Sequence, residues 1–187
     1  LKVQQAAEKN KVSPEMHCDL MAPAFINLWK KLNINYSDFI RTTEQRHKGV
    51  VQNILNQVYE NGDIYQDEYE GWYSISEERF ITEKEVESGL FGEVKKIKEK
   101  NYFFRMSKYQ SELIEKITSD ELSIQPKSRK NEVLGFLKND LSDLCISRPK
   151  SRLEWGIEIP FDKDYVTYVW FDALINYISV PKYSQDN

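Results

Sequence analysis

The stretch YVTYVWFDALINY, residues 165–177, begins as a strand and ends as something else. Tyr165, Val166, Tyr168, Val169 and Trp170 are β-branched or aromatic, whereas Asp172 interrupts the run and Ala173 to Tyr177 reads as the first turns of a helix. A buried strand that stops at a tryptophan and an acid must end against something other than more core.

Upstream of it, WGIEIP (155–160) is a short alternating strand closed by proline. A helix is expected from Asn131 with Val133, Leu134, Leu137, Leu141 and Leu144, and another is capped by Ser107 with Gln110 and bears Tyr109, Leu113, Ile114 and Ile117. YFFRM (102–106) reads as the last strand of a small antiparallel sheet. Its other strands lie in residues 62–82, where Ile64, Tyr65, Tyr69, Trp72, Tyr73, Ile75, Phe80 and Ile81 alternate with glycines and acids. The clearest amphipathic helix carries Val50, Val51, Ile54, Leu55, Val58 and Tyr59, closes at Asn61-Gly62, and has a candidate capping box in Thr42 and Gln45. INYSDFIRTT (34–43) before it reads as a connection followed by an extended segment. Ser13-Pro14-Glu15 starts a helix running to about Lys31, with Leu20, Met21, Ala24, Phe25, Leu28 and Trp29 on one face and Pro23 expected to bend or break it. Helix, strand, helix, a β-rich insertion, helices and a final strand make an α/β chain with an insert.

The 187 residues, 40% of them hydrophobic, suffice for a real core in one large domain or two small ones. LKVQQAAEKN opens without methionine and already has helical spacing, so a piece of a longer protein is expected. No apolar run approaches the roughly 18 residues of a membrane span, and a signal-peptide layout is absent, which points to a cytoplasmic setting. Cys18 and Cys145 belong to no CxxC and read as two buried thiols; His17 beside Cys18 has no partner ligands for a metal. A net charge of −4 excludes a surface that is wholly a nucleic-acid footprint. KKIKEK (95–100), PKSRK (126–130) and RPKSR (148–152) are local basic clusters, each either a solvated face or a phosphate contact.

DFIRTTEQRHK (38–48), GDIYQDEYEGWYSISEERFITEKEV (62–86), NYFFRMSKYQ (101–110), RKNEVL (129–134), ISRPKSR (146–152), WGIEIP and YVWFDALINY (168–177) follow one another as in bacterial-type methionyl-tRNA synthetases, and the chain resembles that family from Leu1 to about Tyr183. The resemblance implies a class I enzyme whose Rossmann-type catalytic domain, interrupted by a connective-peptide insert, activates methionine with ATP and Mg2+ as methionyl-adenylate and transfers it to tRNA(Met). Residues 1–61 resemble the end of the first Rossmann half, 62–160 the insert with the helices after it, and 161–187 the start of the second half. The family's HIGH-type and KMSKS-type motifs, which serve the ATP phosphates, do not occur in the sequence, so the piece alone is expected to be inactive and to hold no catalytic residue.

By the same resemblance the strand of the opening stretch ends at a pocket wall, with Trp170, Ala173 and Tyr177 against the methionine side chain; without the family, Trp170 and Tyr177 read as core. Leu174 stands where some relatives carry proline. Asp172 is either an N-cap, the favoured reading, or a polar group near the substrate amine. Arg148 and Glu158 resemble positions on the ATP side, or else form a surface ion pair. Lys127, Arg129, Lys130, Lys150 and Arg152 are candidates for contact with the tRNA acceptor end. Many relatives carry a zinc knuckle in the insert, but the corresponding places here are Ser74, Glu77, Phe91 and Val94, so no structural zinc is expected. The aromatic set Tyr69, Trp72, Tyr73, Phe80, Tyr102, Phe103 and Phe104 must then stabilise the insert. A tRNA-binding module or a purely structural insert are the rival readings, and no hydrolytic constellation for editing is visible.

Overall fold

The computed structural model describes residues 2–74 and 79–181, apart from the side chains of Tyr69, Arg79 and Phe80. Ile75 and Glu77, and the Tyr69 and Phe80 rings of the expected aromatic set, therefore lie outside the described residues. Helices α1 (Lys2–Lys9), α2 (Pro14–Lys31) and α3 (Gln45–Glu60) come first, followed by β1 (Ile64–Ser74), β2 (Arg79–Ile81), the short α4 (Glu83–Glu87) and β3 (Val94–Phe104). A 3-10 turn over Met106–Tyr109 leads to α5 (Gln110–Thr118) and α6 (Lys127–Phe136). The strands β4 (Leu144–Cys145), β5 (Ser147–Pro149), β6 (Glu158–Ile159) and β7 (Asp162–Thr167) precede α7 (Val169–Ser179).

Among the described residues there are two antiparallel sheets, ordered β2-β1-β3-β4 and β5-β7-β6. The segment 144–149 stitches them together. Leu144 and Cys145 pair with Phe104 and Phe103, then Ser147 to Pro149 pair with β7. At the crossover Ile146 donates its N–H to Tyr102 O at 2.9 Å and accepts from Tyr168 N at 2.8 Å. One core results: Val50, Val51 and Leu55 of α3 meet Ile64, Tyr102, Ile146, Ile157, Ile159 and Ile175 of α7. The period of α3 accounts for its share, and Gly62 closes it with φ of 75°, which a side chain would resist.

β1 and β3 form a two-stranded ribbon of 11 residues each. KKIKEK lies in β3, an earlier strand start than YFFRM alone suggested, and its lysines face acids across the ladder: Lys98 meets Glu68 at 3.0 Å and Lys96 meets Glu70 at 3.3 Å. That basic run is a solvated strand face.

Several local expectations yield to tertiary partners. Ser13 does cap α2, accepting from Met16 N at 3.2 Å, and the helix runs unbroken through Pro23. Its apolar face is turned to solvent, with no residue of α2 buried. Residues 34–43 form no strand; instead Trp29 holds Tyr36 and Phe39 edge-on at ring distances of 5.6 and 5.1 Å. The Thr42–Gln45 box does not form, because α3 starts after Glu44, whose carboxylate takes Arg41 N–H and the Arg46 guanidinium. A capping box exists elsewhere, between Thr82 and Glu85 of α4. Ser107 is no cap but donates to Asp143 at 2.6 Å, and the Gln110 amide pins the Leu137 and Asn139 carbonyls. α6 ends at Phe136, and Leu144 pairs in β4 rather than extending the helix. Cys18 and Cys145 are free and partly, not fully, buried.

Candidate active site

β7 ends at Thr167, earlier than the β-branched run predicts, and Trp170 sits in the first turn of α7. Tyr168 takes the N-cap position, so Asp172 is not a cap. Tyr168 is anchored on both sides, by its N–H to Ile146 O and by the Arg148 guanidinium 3.9 Å above its ring. That double hold fixes where strand becomes helix.

Trp170, Ala173 and Tyr177 share one side of α7 with Leu174. Trp170 is 57% and Tyr177 82% exposed, so neither is core in this chain. Four largely apolar positions at helical spacing thus form an open stripe. The opposite side of α7 turns Ile175 and Ser179 into α3.

Beside the start of α7 lies a cavity of about 350 Å3, walled by Thr42 and Lys48, Arg148 and Arg152, Trp155, and Asp172. Arg148 is 4% exposed, and its Nη1 donates to Ser147 O at 2.6 Å and to Cys145 Sγ at 3.1 Å. Burial disfavours its cation, but Cys145, Tyr73 and Tyr168 around it hold its pKa above the usual arginine value. Arg152 donates from Nη1 to both Glu99 carboxylate oxygens at 3.0 Å, and its guanidinium lies 3.9 Å from the Tyr73 ring, tying the loop after β5 to the ribbon. Gly156 lets β7 approach closely, since a Cβ there would lie 3.0 Å from Val166 Cβ and the valine would have to give by a few tenths of an ångström.

Glu158 does not share this cavity. It projects from β6 and takes the Lys150 ammonium, which holds its carboxyl below the usual range. Arg148 thus lines the cavity, while Glu158 forms an exposed ion pair with Lys150.

The sequence reading passed over His47. Fully buried in α3, it places Nε2 2.6 Å from Asp172 Oδ1 and Nδ1 2.9 Å from Ser179 Oγ. One signal was available: His47 lies four residues before Val51, on the same buried stripe.

A sequence model of the family described as tRNA synthetases class I (M) matches residues 1–90 and 87–187. The chain belongs to that family. The methionine–tRNA ligase of Deinococcus radiodurans is 50% identical over 189 residues, which cover 95% of this chain and 28% of that protein. That of Clostridium acetobutylicum is 47% identical over 191 residues, covering 100% of this chain and 29% of that protein. The solved methionyl-tRNA synthetase of Mycobacterium tuberculosis bound by methionyl-adenylate superposes with a TM-score of 0.83 at 36% identity, over 96% of this chain and 37% of that one. This class I synthetase chain thus spans under a third of the length of the curated relatives it matches.

Within the class I synthetase chain, three of the four knuckle positions come together. Ser74 pairs in register with Val94, and its buried hydroxyl donates to Phe91 O at 2.9 Å; Glu77 lies outside the described residues. A hydroxyl engaged with a carbonyl, flanked by two hydrocarbons, does not fit zinc. The basic candidates fall on separate elements. Arg129 pairs with Glu132 and Lys130 with Asp120, both at 2.6 Å, on and beside α6, while Lys150 and Arg152 engage Glu158 and Glu99. Lys127 has no ion partner among the described residues. Among those residues no helix is long and apolar enough to cross a membrane.

Proposed function

We propose that the chain is part of a methionine–tRNA ligase, which joins methionine to ATP as methionyl-adenylate with release of pyrophosphate and then esterifies the terminal adenosine of tRNA(Met). The observation that carries this reading is the open stripe of Trp170, Ala173, Leu174 and Tyr177 on the helix that starts at the rim of a cavity walled by a buried arginine. A thioether side chain suits two aromatic rings with a small alanine between them. The buried Arg148 cation, little screened by water, suits the phosphate oxygens on which charge grows as the methionine carboxylate attacks the α-phosphorus. Mg2+ accompanies the ATP phosphates.

In this reading residues 1–61 and 161–187 belong to the catalytic domain and 62–160 to its insert. The acceptor end of tRNA meets Lys127, Arg129, Lys130, Lys150 and Arg152. A stand-alone tRNA-binding module is the weaker reading, because four of those five cations already face carboxylates and must exchange partners to meet phosphate. The knuckle positions hold no zinc. The test is ATP–pyrophosphate exchange by the parent enzyme with each amino acid in turn. Exchange driven by methionine is expected, and exchange driven only by another amino acid overturns the reading.

A further inference from the structure

We propose that His47 is a positioning residue for the amino-acid pocket: by bridging Asp172 and Ser179 it sets the rotation of α7, and so aims Trp170, Ala173 and Tyr177. The inference rests on reading that stripe as the methionine site.

Asp172 and Ser179 are seven residues apart, about two helical turns, and therefore lie on one side of α7. Ile175, 5% exposed, falls between them and packs into the core with Val51 and Leu55 of α3. At about 100° per residue the mean direction of Asp172, Ile175 and Ser179 is roughly opposite that of Trp170, Ala173, Leu174 and Tyr177. What holds one side of the helix therefore aims the other.

Apolar contact alone holds α7 against α3 but tolerates rotation, because dispersion and burial are not directional. The two hydrogen bonds of His47 are directional. A carboxylate can only accept, so Nε2 carries the proton given to Asp172 Oδ1. Nδ1 then accepts from the Ser179 hydroxyl, or donates to it while that hydroxyl turns to Asn176 O, 3.5 Å away. Either arrangement satisfies the ring, and neither survives a twist of the helix. A rotation of about 20° at a side-chain radius of about 6 Å moves the stripe about 2 Å. Misplacement of about 1 Å can cost on the order of a hundredfold in rate. Asp172 also faces the cavity, so the same bond fixes a carboxylate at its wall.

The experiment uses the parent enzyme and steady-state ATP–pyrophosphate exchange with methionine and ATP varied in turn. His47→Leu, which fills the volume without hydrogen bonds, is expected to raise the KM for methionine about tenfold or more and to leave that for ATP within about twofold. His47→Gln, which keeps a donor for Asp172, is expected to fall between it and wild type. A merely structural role lowers the folded fraction, hence the apparent kcat, and leaves both KM values alone. Should His47→Leu fail to fold, Ser179→Ala decides, with an expected rise of about threefold for methionine. Unchanged KM values in the folded variants, or equal rises for both substrates, overturn the proposal while the functional reading stands. A wild-type parent without methionine-dependent exchange overturns that reading itself.

Discussion

Trp170→Ala in the parent enzyme separates a pocket wall from a core residue. A tryptophan buries about 200 Å2 when enclosed, and 57% of this one is open on the chain, leaving about 115 Å2 for a ligand to cover. At about 25 cal/mol per Å2 that surface is worth about 3 kcal/mol, or about a hundredfold in affinity. The side chain contributes little to the folded core, so the melting temperature should stay close to wild type. Exchange titrated with methionine should show the KM displaced by about two orders of magnitude, while titration with ATP should not. The melting curve is recorded on the same preparation. A folded variant that activates methionine with unchanged constants refutes the pocket assignment, and a large fall in melting temperature with the KM unmoved returns Trp170 to the core.

Gly156→Ala should destabilise by about 1–3 kcal/mol in urea titrations, because the new methyl group comes within 3.0 Å of Val166, which is 1% exposed and has to shift by a few tenths of an ångström. Stability equal to wild type would show that β7 can shift. Asp63 accepts the Lys108 ammonium at 2.7 Å and the Tyr109 hydroxyl, and these hold its carboxyl below the usual range. Its folded pKa lies below the unfolded value of about 3.9, so its contribution is complete above about pH 4 and is lost as pH falls through the folded pKa. Asp63→Asn should therefore lower the melting temperature at neutral pH and flatten its decline in acid; an acid slope identical to wild type would place the loss elsewhere.

Much of the fold was legible because local and tertiary preferences agree. α3 has the period, the apolar stripe and the closing glycine of an amphipathic helix, and all three survive folding. Ser13-Pro14 starts α2 as read, and the β-rich stretch after Gly62 is antiparallel. The family was legible too, since seven ordered motifs place the chain without any coordinates. Trp170, Ala173 and Tyr177 came from those motifs, and the structure sets them on one open side of a single helix.

The tertiary structure alone decided which partner each polar group takes. The box expected at Thr42 is not used, because Glu44 takes the Arg41 N–H and the Arg46 guanidinium, while the box that forms is at Thr82 with Glu85. Asp172 looked like an N-cap within its own helix and instead meets a histidine 125 residues away. A cap is worth about 1 kcal/mol. Leaving a buried imidazole or a half-buried carboxylate without a partner costs more than that. Spacing along a sequence reports the first quantity but not the second, because it does not say which distant residue the chain's path brings within 2.6 Å.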